Sequence, residues 1–150
     1  MAKAQEAEKI FKDGYNCCQS VFCPFCKEVG MDFETALKLT SSFGGGMGRL
    51  REVCGAVTAM FMIAGLKYGY TDPKDQKAKA DHYKLIQELA GEFENEFGSI
   101  ICRKLLALPD GKKESHIPSE RNEAYYTKRP CSEFVSFAAG LVEKMIRQKS

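Results

Sequence analysis

Four of the chain's seven cysteines fall within NCCQSVFCPFC, residues 16–26, as Cys17, Cys18, Cys23 and Cys26; the other three are Cys54, Cys102 and Cys131. Thiolates attack disulfides, bind metals and cycle between dithiol and disulfide, so these residues are the main chemical resource of the sequence. An odd number cannot pair fully within one chain, and structural disulfides are uncommon in a reducing compartment. That leaves metal ligands, redox centres or small buried residues.

Other motifs carry less. The run Gly44 to Gly48 lacks the Lys-Ser/Thr of a nucleoside-triphosphate loop and follows a helical pattern where a dinucleotide site would want a strand, so it reads as a helix stop with close backbone approach. His82 is expected on the exposed side of a helix beside Asp81, and His116 in a polar loop, which makes each a weak ligand candidate. No order of Ser, His and Asp or of Cys, His and Asn supports nucleophilic hydrolysis. The acidic run GEFENEF reads as the wet side of a helix with its phenylalanines inward, and Met60 and Met62 as core.

The elements that must position the thiols are helical. Apolar residues recur at three- and four-residue spacing almost throughout, and no run alternates with period two. Helices are expected over 2–13, from the cap Asn16 to about Val29, from the cap Asp32 to the glycine run, and from about Leu50 to Tyr68. Further helices should start at Thr71-Asp72-Pro73, at the cap Ser99 (through Leu106) and at Pro130. Residues 53–66 are apolar on nearly every side and are expected to form the central helix. Pro109-Asp110-Gly111 opens a polar loop at about 107–129, long enough to suggest a function or a partner. The expected fold is one all-α domain of about seven helices, spanning 1–150.

On those helices, Cys17, Cys54, Cys102 and Cys131 all lie near a start. Unpaired N–H groups at a helix start favour an adjacent anion and ease ionisation of a thiol. If the starts converge, they form a pocket for negative sulfur, suited to a disulfide relay, an iron–sulfur cluster or a thiolate-bound zinc. N–H groups of Gly46, Gly48 and Gly55 could then donate near Cys54. Basic neighbours such as Arg49, Arg51, Arg103, Lys128 and Arg129 add little, because Lys and Arg are frequent throughout. Cys23 and Cys26 point away from Cys17 on an ideal helix. With Cys18 they read mainly as packing residues, with a second dithiol or metal pair as the rival; Pro24 is expected to kink or restart the helix there.

The blocks GYNCCQSVF, FGGGMGRLREVCGAVTAM, FENEFGSIICRKLL and RPCSEFV, in that order, resemble the C_GCAxxG_C_C family of small redox-active proteins. The resemblance runs from about residue 8 to 145 and matches the family cysteines to Cys17, Cys54, Cys102 and Cys131. It implies a redox role, with no settled substrate. One departure is Ala59, where the family pattern has glycine. Some relatives carry haem and transfer electrons, but no Cys-x-x-Cys-His is present here, so covalent haem is not expected.

A net charge of +2, from 22 basic and 20 acidic residues, gives no reason to expect nucleic acid as a partner. Neither a signal peptide nor a membrane span is expected, and the cytoplasm is the expected location. The favoured reading is a redox protein whose four cysteines bind an iron–sulfur cluster or other metal, or act without metal as a thiol–disulfide oxidoreductase. The metal is slightly preferred, since four thiolates complete such a site. Its partner would be a redox protein or a small thiol, and a homodimer is conceivable. The rival reading is a helical interaction or small-ligand module with the cysteines as core.

Overall fold

The computed structural model describes residues 2–111 and 113–150. Among these the architecture is all-α, with one isolated bridge, Val53 to Ile101, as the sole β pairing. Helix α1 (Lys3–Lys12) buries Ala7 and Phe11. Helix α2 (Cys17–Phe22) starts at a capping box: the Asn16 side chain accepts from the Gln19 N–H, and the Gln19 side chain accepts from the Asn16 N–H. The helix expected to continue to Val29 breaks where Pro24 removes an N–H. A 3-10 turn (Cys23–Phe25) leads there into α3 (Cys26–Val29), which Gly30 ends in the left-handed conformation. Asp32 caps α4 (Phe33–Thr40) as expected, and a second 3-10 turn follows.

The short turn α5 (Gly44–Met47) opens a segment of unusual backbone. Gly45, Gly46, Met47, Gly48, Arg49 and Arg51 all have positive φ, three of them residues that carry a Cβ. Each such residue costs about 1–2 kcal/mol and persists only where its surroundings hold it. Here the N–H groups of Arg49, Arg51 and Glu52 return to the carbonyls of Gly44, Gly45 and Gly46.

Helix α6 (Gly55–Tyr68) therefore begins later than Leu50, because residues 50–53 are extended and used in the bridge. It packs on α2, α7 and α10. It does not form the centre alone: Leu66 is exposed, and the most extensive helix pair is α1 with α10. Among the described residues, no helix is long and apolar enough to cross a membrane.

Helix α7 (Gln76–Phe97) starts at Asp75, not at Asp72; the Asp75 carboxylate accepts from the Ala78 N–H. Its Phe93 and Phe97 stack with Phe134 and Phe137. His82 is half-buried instead of exposed, edge-on to Tyr70 with its Nδ1 enclosed. Helix α8 (Cys102–Leu105) follows Ile101; Ser99 does not cap it but accepts from the Ile101 N–H in a local turn. The expected long loop contains α9 (Glu123–Lys128), capped by Asn122. Helix α10 (Cys131–Lys149) begins after Pro130, as its sequence predicts. The chain thus has more and shorter helices than the seven expected, since single turns flank the cysteine-bearing junctions.

Candidate redox site

Each signature cysteine stands at a helix boundary. Cys17, Cys102 and Cys131 are the first residues of α2, α8 and α10, and Cys54 is the cap of α6. Packing of α2 against α10 brings Cys17 to Cys131. The bridge brings the other two together: the Cys54 N–H donates to the Ile100 carbonyl at 2.8 Å, and the Cys102 N–H to the Glu52 carbonyl at 2.7 Å.

Two glycines close the remaining gaps. A Cβ on Gly55 would lie 2.7 Å from the Phe43 carbonyl oxygen, 3.0 Å from the Cys18 nitrogen and 3.2 Å from the Cys17 Cβ. A Cβ on Gly46 would lie 2.7 Å from the Cys102 Cβ and 2.8 Å from the Arg51 Cα. Gly48 is placed differently from expectation. Its sole neighbour of this kind is the Ser42 carbonyl at 3.8 Å, and it faces a cleft beside the thiols.

The four sulfurs lie within electrostatic reach of one another in every pairing. The Cys17 thiol lies close enough to the Cys131 sulfur for the two to perturb each other. The Cys131 sulfur favours the Cys17 proton, so the Cys17 pKa lies well above the ordinary thiol value, and burial adds to the rise. The Cys17 thiol in turn draws Cys131 below the ordinary value against the effect of burial, with Arg129, Arg51 and Arg121 contributing in that order. Cys131 is thus the thiol most disposed to ionise.

Cys54 is pushed up to about 12 by burial. The N–H groups of Ala56 and Val57 oppose that rise without forming a capping bond. Cys102 is raised by burial and drawn back by Arg51, whose Nη1 donates to its sulfur at 3.5 Å. Burial works against the charge on Arg51, but Glu114 and the Cys102 sulfur more than offset it.

The basic residues that matter are only partly those adjacent in sequence. Arg51, three positions before Cys54, serves Cys102 across the bridge, while Arg103 turns away to the Pro109 carbonyl. Arg121 is the residue that sequence reasoning misses. It donates to the carbonyls of Phe11 and Tyr15 and lies over the rings of Phe11, Tyr125 and Tyr126. Its signal in the sequence is slight, an arginine shortly before a Tyr-Tyr pair.

The remaining cysteines stand outside the set. Cys18 is fully buried against α6 and its thiol is raised by burial, as packing predicts. Cys23 and Cys26 lie together at the 3-10 turn and perturb each other, and burial pushes Cys23 up to about 12. Among the described residues, no three of His, Cys, Asp and Glu are grouped so as to hold a metal ion, and arginines surround the thiols.

The chain belongs to the family described as "Putative redox-active protein (C_GCAxxG_C_C)", whose profile matches residues 15–145. The four signature cysteines named above lie within that match. No curated protein and no solved structure shows significant similarity to it.

Proposed function

We propose that this redox-active protein works as a dithiol–disulfide couple in which Cys131 attacks and Cys17 resolves. What supports the reading is the nearness of Cys17 and Cys131 where α2 packs on α10, set among arginines that favour negative sulfur on Cys131. The Cys131 thiolate attacks one sulfur of a disulfide RSSR; a Cys131–SR bond forms and RS⁻ leaves. Cys17 gives up its proton, and its thiolate attacks the Cys131 sulfur, expelling the second RS⁻. Two protons and two electrons pass from the protein dithiol to give two RSH and a Cys17–Cys131 disulfide. The reverse sequence reduces the protein.

Cys54 and Cys102 share the same pocket and would modulate the potential through their protonation. In the cytoplasm, the compartment we favour, the thiol pool would keep the resting form reduced.

A redox titration in dithiothreitol buffers tests the reading. Loss of two alkylatable thiols together, with the two-electron response of about 30 mV per tenfold change, is the expected result. Cys17→Ser and Cys131→Ser should each abolish the transition. Thiols that stay alkylatable across the whole series would overturn it. Iron, zinc and sulfide analysis after anaerobic purification separates this couple from a thiolate-bound metal, which would appear in stoichiometric amount.

A further inference from the structure

Beside the thiols lies a cleft of about 260 Å³ lined by Arg49, Arg51, Arg121 and Arg129, with Tyr125 and His116 among its other walls. None of its lining residues is acidic. Among the described residues, the one carboxylate paired with any of these arginines is Glu114, which binds Arg49 at 3.0 Å and Arg51 at 2.6 Å. Four guanidinium groups therefore share a single counter-charge. Arg121 spends its N–H groups on neutral carbonyls and a tyrosine hydroxyl, and Arg129 lies over the Tyr125 ring. Such a wall raises the local concentration of anions.

The cleft also adjoins the chemistry. Asn16 precedes Cys17, Arg51 touches Cys102, and the Tyr125 hydroxyl is raised first by burial and then by the charges of Cys131 and Cys17. The volume lies below the range of about 300–1,000 Å³ typical of drug-sized ligands, so it suits a small molecule.

Resting on the dithiol reading, we infer that the arginine cleft selects the co-substrate: a low-molecular-weight disulfide, or the corresponding thiol, that carries carboxylates. The carboxylates sit against Arg49 and Arg129, which leaves the disulfide beside Tyr125, the lining residue that feels the charges of Cys131 and Cys17.

Three symmetrical disulfides of similar size test this: dithiodipropionate (anionic), hydroxyethyl disulfide (neutral) and cystamine (cationic). The rate of protein thiol loss with each is divided by the rate of the same disulfide with a free small thiol. The normalised rate should fall from anionic to neutral to cationic, with the first step on the order of tenfold at low salt, and should converge as salt is added. Arg129→Gln should bring the anionic-to-neutral ratio close to one, while Arg129→Lys keeps most of it. Equal normalised rates with the dithiol still oxidised would overturn the cleft proposal and leave the redox reading standing. No oxidation by any of the three would overturn the redox reading instead. Calorimetric titration of the Cys17→Ser, Cys131→Ser chain with dithiodipropionate then decides the cleft alone. Saturable binding that Arg129→Gln removes supports the cleft, and absence of binding overturns it.

Discussion

Arg51 joins Cys102 to the loop that follows α8: its Nη1 lies 3.5 Å from the Cys102 sulfur, while its Nε and Nη2 bind Glu114 at 2.6 and 3.1 Å. This nearly inaccessible cation thus holds the Cys102 thiol and the segment around Glu114 in one arrangement. Glu114→Gln removes the negative partner of both Arg49 and Arg51. It should lower the denaturation free energy by about 1.5–3 kcal/mol, the range for hydrogen bonds to charged groups. It should also speed proteolysis at Lys113. An unchanged denaturant midpoint with unchanged cleavage would show that the pair does not fasten the loop.

The Cys17 thiol beside Cys131 predicts how Cys131 titrates. Alkylation rate against pH should inflect for Cys131 below the ordinary thiol value of about 8.5. Cys17→Ala removes the thiol that lowers Cys131 and should move the inflection upward. Cys17→Ser retains an O–H and should move it less. Arg129→Gln should raise it as well, through loss of the next largest lowering influence. An inflection that ignores residue 17 would contradict the assignment.

Stability at high pH follows from the other thiols. Cys17, Cys18, Cys23, Cys26, Cys54 and Cys102 are all raised in the folded chain. Above about pH 8.5 the unfolded chain loses these protons first, so it binds fewer protons than the folded chain and stability falls as pH rises. Cys131 alone has the opposite sign. Its contribution is present above the unfolded value and is lost as pH drops through its lower folded value. Thermal unfolding should therefore show a Tm that declines steadily above pH 8.5. Replacing Cys18, which is fully buried and has no part in the proposed couple, with Ala should flatten that decline. A Tm constant from pH 8 to 11 would contradict these shifts.

Two glycines on one helix give an internal control. Gly55→Ala must push its methyl against the Phe43 carbonyl and should cost about 1–3 kcal/mol, with altered reactivity of Cys17. Gly65→Ala meets nothing within 4 Å and should stabilise α6 by about 0.5–1 kcal/mol. Denaturant midpoints of the two variants check this; equal effects would mean that close approach at Gly55 is not what positions Cys17.

What could be read from the sequence was local. Asn16 and Asp32 cap, and Gly30 stops, because each acts on backbone within three residues. The four cysteines at helix starts were legible for the same reason. Asp72 and Ser99 misled because each turns onto a nearer N–H, those of Lys74 and Ile101. The bridge could not be seen: it pairs one residue with one residue across a long interval and leaves no alternation. That hidden bridge also sends Arg51 to Cys102 instead of to Cys54, its neighbour in sequence. The arginine cleft was equally invisible, since its walls come from four separate segments.

The most direct test of the dithiol couple is peptide mapping after oxidation by hydroxyethyl disulfide, with residual thiols alkylated before digestion. The expected product is a cross-linked peptide pair joining Cys17 to Cys131, with Cys18 recovered in alkylated form. Recovery of Cys17 and Cys131 both alkylated, while other cysteines carry the oxidation, would contradict the account.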